Sequence, residues 1–434
     1  MEVIFTIIVG LIVLGILVFV HESGHFIAAK ACKITVLTFS LGFGSALLKR
    51  KKGDTEYRIS VIPFGGYVRM KGSSPEESSG ASDEYNSKPL WQRAIVAIAG
   101  PAANFLFAIF LLWVAYIHGI ERPLFIDDPT IGAVRPQSPA QQAGFRAGDS
   151  IIAIDNQTIE SWEDIQTHLL KRHEQYIFTV IRNHLLEKEI RFQPQFEDNN
   201  PTAGIEPVFP PVLGEIRPES PAEQAGLTPF DTIIHIENDT IISFQQMVFI
   251  VNELGEKQDS ISIVLKRNET YLTKHLSPVY DSSYQRFVLG AQAAPPQTRH
   301  ISYGVLPSIP MAFERSYEFT TLIFRAVGLL VTGGASVDEM AGPVGIVQLS
   351  GQAARQDVSS IMVFMAVIGI NLAIINLLPL VITDGGVLLF IGLEAIRGKP
   401  LSPKTQEQIN KIAVLFFLGL FLLLIFVDFR RIFS

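Results

Sequence analysis

Two histidines and a glutamate near the start of the chain have the spacing of a metal-binding motif. The segment reads His21-Glu22-Ser23-Gly24-His25. On a helix, residues four positions apart share a face, so both imidazoles reach one cation. In this H-E-x-x-H arrangement, the imidazoles bind zinc and the glutamate takes a proton from the attacking water. The pattern predicts metal-assisted hydrolysis, although it also occurs by chance in soluble helices.

The motif follows an apolar run that is long enough to cross a membrane. Residues 3–20 contain no ionisable side chain, and about 20 apolar residues make a membrane helix. Ionisable groups inside such a helix are costly and generally functional, which argues against a chance match. We expect a retained span and not a signal peptide, because no basic residue precedes the run and it lacks a small-x-small cleavage site.

The composition is that of a membrane protein, with 48% hydrophobic and only 18% charged residues. Four spans are predicted, at about 3–27, 94–118, 361–383 continuing toward 396, and 412–427. Within the second span, Asn104 is a polar group that needs a partner. Residues 310–332, interrupted by Arg325, predict an amphipathic helix on the membrane surface. The net charge of −7 argues against a nucleic-acid partner, and a single cysteine, Cys32, excludes an intrachain disulfide.

Basic residues near the spans predict the orientation. Residues 30–93 contain eleven Lys and Arg against six Asp and Glu, whereas residues 119–320 contain sixteen against twenty-seven. We therefore expect the first loop in the cytoplasm, and the large acidic segment and both termini outside. The first and third spans then both run inward, which brings Asp384 to the depth of the histidines. A catalytic zinc site needs a third protein ligand, and Asp384 is the candidate.

The surroundings of Asp384 predict a broken helix. Pro379 removes a backbone donor, and Gly385 and Gly386 tolerate unusual dihedral angles. Irregular backbone at membrane depth survives where protein or a water-filled cavity surrounds it, and water is the second substrate of a hydrolase. An aspartate that only caps a re-entrant helix is the alternative.

Three segments before the second and third spans also have recognisable patterns. Residues 55–70 predict a hairpin that turns at Pro63-Phe64-Gly65-Gly66 and dips toward the membrane. A protease inside a bilayer must unwind its substrate, and a strand edge binds an unwound segment by β-addition; a plain surface hairpin is the alternative. Residues 72–88 predict a flexible linker, and residues 341–346 predict a tight turn.

The outer segment contains an internal repeat. The residues from Ile131 to Gly144 are echoed from Leu213 to Gly226, 82 residues further on, and Asp149 corresponds to Asp231. Each copy mixes strands with a helix that starts at a Ser-Pro-Ala turn. The repeat predicts two tandem α+β domains.

Together these motifs resemble the site-2 intramembrane zinc metalloproteases over nearly the whole chain. The residues that carry the resemblance are HESGH in the first span, Asn376, Pro379 and Asp384-Gly385-Gly386 in the third, and the repeat. The site residues it implies are the zinc ligands His21, His25 and Asp384, the catalytic Glu22, and the substrate-binding Asn376 and Pro379. It also implies that residues 55–70 form a membrane-re-entrant β element. Val381 and Val387 depart from the family's usual proline and histidine, which concerns substrate positioning more than zinc binding.

The repeats resemble circularly permuted bacterial PDZ domains, with carboxylate-binding loops around Ala203-Gly204-Ile205 and Leu289-Gly290-Ala291. The predicted fold is a multi-pass α-helical membrane protein with four transmembrane helices and a re-entrant β-hairpin, plus two α+β PDZ-like domains. The predicted domains are the first two spans with HExxH (1–118), the PDZ-like domains (119–208 and 209–295), a linker with the surface helix (296–360), and the last two spans (361–434).

The resemblance implies a bacterial inner-membrane protease that cuts single-span proteins in or near their transmembrane segments. The implied substrate is an anti-sigma factor that another protease has already trimmed, during envelope stress signalling. The PDZ-like domains would exclude intact ectodomains by size or contact the new carboxyl terminus. Two other classes stay open: a membrane-anchored PDZ scaffold, which the retained Glu22 argues against, and a transporter, for which no inverted repeat is visible.

Overall fold

The computed structural model describes residues 2–74, 78–169, 173–182, 186–194, 204–282, 284–332, 342–380 and 383–433. It divides into two compact units, which are Met1–Ile120 with Ile301–Ser434, and Glu121–His300. We call these the membrane unit and the repeat unit.

The helices of the described residues are α1 (Glu2–Ala31), α2 (Leu90–His118), α3 (Pro139–Ala143), α4 (Trp162–Leu169), α5 (Pro221–Gln224), α6 (Phe244–Gly255), α7 (Ser308–Thr332), α8 (Pro343–Gln356), α9 (Val358–Leu377), α10 (Asp384–Arg397) and α11 (Pro403–Phe433). Two short 3₁₀ helices lie at Tyr85–Ser87 and Leu124–Asp127.

The strands are β1 (Val36–Lys52), β2 (Thr55–Met70), β3 (Ile120–Pro123), β4 (Ile131–Val134), β5 (Ser150–Ile154), β6 (Gln157–Thr158), β7 (Tyr176–Arg182), β8 (Leu186–Phe192), β9 (Ile205–Pro207), β10 (Leu213–Ile216), β11 (Thr232–Ile236), β12 (Asp239–Thr240), β13 (Ile261–Arg267), β14 (Thr270–Leu276), β15 (Val279–Asp281), β16 (Arg286–Val288), β17 (Ala291–Ala293) and β18 (Thr298–Ile301).

Helices α1, α2 and α9 are each long and apolar enough to cross a membrane. Their side chains pack together around Leu17, Leu112 and Ile370, and α2 continues through Pro101 without interruption. Helix α7 joins the same core through Ala312. The chain is therefore a multi-pass membrane protein. The fourth predicted span lies within α11 and stays a prediction, as does the position of α7 on the membrane surface.

The predicted hairpin at residues 55–70 is wrong in its pairing. Residues 36–41 lie between its two halves. On one side, 38–41 pair with 56–59, and on the other, 36–41 pair with 66–70. Residues 46–52 complete the sheet by pairing with 55–60. We call this the four-segment sheet, and residues 66–70 are its outer segment.

Glycines explain why β1 contributes two separate segments to this sheet. Gly42 and Gly44 have φ angles of 84° and 86°, a region that other residues rarely adopt. The chain therefore changes course between 36–41 and 46–52. Hydrophobic alternation does not record which segments pair, so this arrangement was not predictable from the pattern.

The predicted flexible linker is also wrong, because its described part is a hydrogen-bonded loop. The carboxylate of the buried Glu84 accepts hydrogen bonds from the backbone N–H groups of Ser79 and Gly80, both at 2.9 Å. The hydroxyls of Ser78 and Ser79 also donate to it, at 3.1 and 2.6 Å. Side chains that satisfy backbone donors hold such loops without helix or sheet.

The predicted turn at 341–346 is a helix from Pro343 onward. Gly342 caps α8 and Pro343 is its first residue, where a missing N–H costs nothing; Ala341 lies outside the described residues. Helix α8 packs against α1, and a Cβ atom at Gly351 would lie only 2.6 Å from the Thr6 hydroxyl oxygen.

The two copies of the repeat fold alike. Their main sheets have the orders β6-β5-β7-β8 and β12-β11-β13-β14, and each has a small second sheet, β4-β9 or β10-β17. Ser138 and Ser220 cap the corresponding helices α3 and α5, each accepting a backbone N–H three residues later. The boundaries predicted for the two domains stay predictions.

Each copy of the repeat also contains a buried ion pair. Arg182 donates two hydrogen bonds to Asp149, at 2.6 and 2.7 Å. Arg267 donates two to Asp231, both at 2.7 Å. Burial raises the pKa of Asp231, but hydrogen bonds from Arg267 and Thr228 lower it, and the resulting pKa lies below the ordinary value for aspartate.

We expect the second repeat to lose stability on acidification. Because the pKa of Asp231 is lower in the folded chain than the unfolded value of about 3.9, its stabilising contribution is complete above that value and disappears as the pH falls through the folded pKa. Asp231→Asn cannot titrate, so the stability difference from wild type should shrink below about pH 4.

Hydrogen exchange of β11 to β14, corrected for the intrinsic effect of pH, measures this difference, and β5 to β8 of the first repeat are the internal control. A difference that does not change with pH contradicts the prediction.

Candidate active site

The HESGH segment lies inside α1, so its polar residues project from a membrane-spanning helix. The rings of His21 and His25 have their centroids 4.8 Å apart, and Glu22 and His25 are buried. Nδ1 of His25 donates a hydrogen bond to the main-chain oxygen of Val96 on α2, at 2.7 Å. A ring that donates through Nδ1 keeps the lone pair of Nε2 free.

The structure brings Asp384 together with both histidines. It is the first residue of α10, and its two oxygens lie 3.2 Å from Nε2 of His21 and 3.3 Å from Nε2 of His25. The two Nε2 atoms are 3.2 Å apart. His21 and His25, near the start of the chain, therefore lie in contact with Asp384, far along it.

These three side chains fit a zinc ion. Two imidazole nitrogens and a carboxylate oxygen form a common donor set of catalytic zinc, with the fourth position left for water. Tetrahedral zinc with bonds of about 2.0–2.1 Å holds its ligand atoms about 3.3 Å apart, close to the separations described above. No other group of His, Cys, Asp or Glu within the described residues has ligand atoms as close to one another.

The break before Asp384 differs from the expected loop. The hydroxyl of Thr383 donates to the main-chain oxygens of Leu378 and Leu380, at 3.0 and 2.8 Å, which closes the turn. Both glycines lie within α10 without positive φ angles, so the expectation of unusual dihedral angles is wrong. A Cβ atom at Gly385 would instead overlap the main-chain oxygens of Leu378 and Leu377. Val381 lies outside the described residues.

The site opens into a cavity of about 820 Å³ in the membrane unit. Asn376 and Val387 line it together with Glu22, whereas Pro379 does not and is exposed in the break after α9. Other polar residues of the lining include Ser73, Ser78, Asn86, Gln406 and Asn410. Such a lining suits water, which a hydrolase must admit.

The outer segment of the four-segment sheet borders this cavity through Gly66, Tyr67, Val68 and Met70. A Cβ atom at Gly66 would lie 3.0 Å from Cγ of Glu22 and 2.8 Å from the main-chain oxygen of Ser40. Only glycine therefore lets the backbone of this strand lie directly against the glutamate.

A second glycine, Gly100, contacts His25. A Cβ atom at Gly100 on α2 would overlap the imidazole of His25 at Nε2. Hydrogen bonding to Val96 and the absence of a side chain at Gly100 together define the position of this ring.

An ion pair in the cavity wall was not predicted from the sequence. Nη2 of Arg93 on α2 donates to Oε1 of Glu394 on α10 at 2.6 Å, and their side chains are only 10% and 21% exposed. Nε of Arg93 is buried without a partner among the described residues. The available signal was a lone glutamate in the apolar stretch that was predicted to continue toward residue 396, because buried charges require partners.

A membrane helix with an H-E-x-x-H pair, a distant aspartate and a polar cavity defines a membrane-embedded metallopeptidase. The sequence model of peptidase family M50 matches residues 9–420. The chain belongs to peptidase family M50 and is an intramembrane zinc metalloprotease.

Several known proteins are similar to this chain over nearly their whole length. The regulator of sigma E protease of Haemophilus influenzae is 34% identical over 442 residues, which cover 97% of this chain and 98% of the relative. The regulator of sigma-E protease RseP of Escherichia coli (strain K12) is 31% identical over 446 residues, with the same coverage of 97% and 98%. A relative from Pasteurella multocida, 34% identical over 445 residues (97% of this chain and 98% of the relative), has the words zinc metalloprotease in its name.

Two alanine substitutions should separate metal binding from substrate positioning. Gly100→Ala should displace Nε2 of His25 and lower zinc affinity by about tenfold or more. Gly66→Ala should move the strand away from Glu22 and slow cleavage by about 100-fold, with zinc affinity unchanged. Zinc titration and cleavage of a single-span substrate measure the two effects, and equal zinc loss in both variants contradicts this division.

The Arg93 and Glu394 pair should be strongly coupled. Replacing either residue with methionine leaves the other charge buried alone and should destabilise the protein by about 3–5 kcal/mol. The double variant should recover most of that loss, because no unpaired charge remains. Thermal unfolding of the four proteins in detergent tests this in a double-mutant cycle; strictly additive losses contradict it.

Proposed function

We propose that this protease hydrolyses peptide bonds in or near the transmembrane segments of single-span proteins, at a zinc ion held by His21, His25 and Asp384. The observation that carries the proposal is the meeting of these three side chains in a polar cavity beside Glu22. Membership of peptidase family M50 supports the same chemistry.

Glu22 is the proposed general base and acid. When bound, zinc polarises the scissile carbonyl and lowers the pKa of a water molecule. The carboxylate of Glu22 accepts the proton of the attacking water and delivers it to the nitrogen of the leaving amine. The polar cavity admits this water to a site that otherwise lies among apolar helices.

The outer segment of the four-segment sheet is the proposed substrate platform. Gly66, Tyr67 and Val68 pair on one side only with residues 39–41, no second strand pairs with them among the described residues, and the segment borders the cavity at Gly66. An unwound substrate that adds there as a further strand places its peptide bonds beside Glu22. Asn376 on the cavity wall and Pro379 at the adjacent break are the proposed substrate-binding residues.

The proposed topology has four transmembrane helices in the bacterial inner membrane, with α11 as the fourth and both termini on the periplasmic side. The charge difference between residues 30–93 and 119–320 supports it. We further propose that the repeats are PDZ-like domains, at 119–208 and 209–295. They act outside the membrane by excluding bulky ectodomains or by contacting a trimmed carboxyl terminus.

The proposed substrate is an anti-sigma factor in envelope stress signalling, cut in a second step after another protease has removed its outer domain. The relatives from Haemophilus influenzae and Escherichia coli are both named as a regulator of sigma E protease, and these names support this role. The anchored substrate would reach the site through the lipid bilayer.

The decisive variant is Glu22→Gln, which keeps the shape of the side chain but removes the base. We expect cleavage of a single-span substrate to fall by about 10²–10⁴-fold, while zinc content stays at the wild-type level. His21→Ala, as the control, should lose both zinc and cleavage.

Undiminished cleavage by the Glu22→Gln protein rules out this mechanism. Wild-type protein without zinc that still binds periplasmic carboxyl termini would instead favour a membrane-anchored PDZ scaffold. Metal analysis and the cleavage assay on the same preparations therefore separate the two functions.

A further inference from the structure

Asn104 lies on α2 beside His21, and its side chain is almost fully buried. The residue is 1% exposed, and its Nδ2 atom lies 3.5 Å from Nδ1 of His21. Its Oδ1 atom is buried and meets no hydrogen-bond donor among the described residues. A buried acceptor without a donor is costly, so this orientation of the amide needs an explanation.

The two nitrogens of His21 have different requirements when a cation is bound. Nε2 faces His25 and Asp384, both at 3.2 Å, so a cation there takes the lone pair of Nε2. A neutral imidazole then carries its proton on Nδ1 and needs an acceptor. Asn104 is the one described residue within hydrogen-bond distance of that nitrogen.

The amide presents its donor atom to this nitrogen in the structure. With Nδ2 as donor, Nδ1 of His21 must accept, and the ring proton would sit on Nε2 and block the lone pair. A half-turn of the amide exchanges Nδ2 and Oδ1, which occupy almost the same shape. Oδ1 then accepts from Nδ1–H, and the unpaired oxygen gains its donor.

His25 provides a precedent within the same site. Its Nδ1 donates to a main-chain oxygen at Val96, which is eight residues before Asn104 on α2. Residues 96, 100 and 104 are four apart and share one face of the helix. The rotated amide would give each histidine one acceptor from the same face of α2.

We propose that Asn104 is a positioning residue, which accepts the Nδ1 proton of His21 through Oδ1 and so directs Nε2 to the metal. The inference rests on the proposed role of His21 as a zinc ligand. Asn104 acts through the tautomer and orientation of the ring. Partners of this kind are generally important for metal affinity.

The test is the zinc affinity of the purified full-length protein, measured by competition with a chelating dye. Asn104→Leu has a similar size but no acceptor, and its affinity should fall by about 10–100-fold. Asn104→Asp keeps the shape and can only accept, so its affinity should stay within about threefold of wild type or become tighter. Gln92→Leu removes a second buried, unpaired amide oxygen from α2, twelve residues before Asn104, and should bind zinc like wild type.

Four results would overturn the proposal. An Asn104→Asp protein that loses zinc as Asn104→Leu does would assign the effect to the amide donor. An Asn104→Leu protein with wild-type affinity would remove Asn104 from the site and leave the role of His21 intact. A wild-type protein without zinc, or a His21→Ala protein that binds zinc normally, would refute the zinc site itself and this inference with it.

Discussion

The membrane unit depends on the contact between Asp384 and the two histidines. Three ionisable side chains within or next to apolar helices would each be costly if they had no partner. Here each is the partner of the other two. The requirement brings the first residues of α10 against the last turns of α1, although more than 350 residues separate them.

Helix α2 contacts both histidines without contributing a residue to the group of His21, His25 and Asp384. On one face of α2, the main-chain oxygen of Val96 accepts a hydrogen bond from His25, and Gly100 leaves space for the same ring. The amide of Asn104 lies beside His21. Contacts with this packed membrane helix therefore restrict the movement of both imidazole rings. This division of roles, with one helix carrying the donors and another orienting them, suits a site that must keep its geometry while substrates exchange.

Residue types and spacing predicted the histidine pair because its requirement is local, whereas Asp384 needed an argument from membrane depth. H-E-x-x-H needs only the helical period, and Asp384 followed from the depth of two inward-running spans. The roles of Gly66 and Gly100 could not be predicted, because each glycine acts only by leaving space for a neighbouring side chain. The charge pair of Arg93 with Glu394 joins residues from distant segments, and nothing in either segment identifies the other.

Three elements of the fold were predicted incorrectly for related reasons. The segment order of the sheet depends on long-range pairing, which alternation does not encode. The loop around Glu84 has the composition of a flexible linker, but one buried carboxylate gathers its donors. Gly342 and Pro343 read as a turn, yet the same pair begins a helix, because proline is favoured at the first helical position.

The attachment of α10 at two points has a consequence for metal exchange. Asp384 faces the histidines of α1, and Glu394, about 15 Å further along the same helix, is bound to Arg93 of α2. The second attachment involves none of the proposed zinc ligands, so it would hold α10 against α2 before zinc binds. The proposed ligands would then be assembled before the ion arrives, and zinc binding would require dehydration of the ion and small side-chain adjustments.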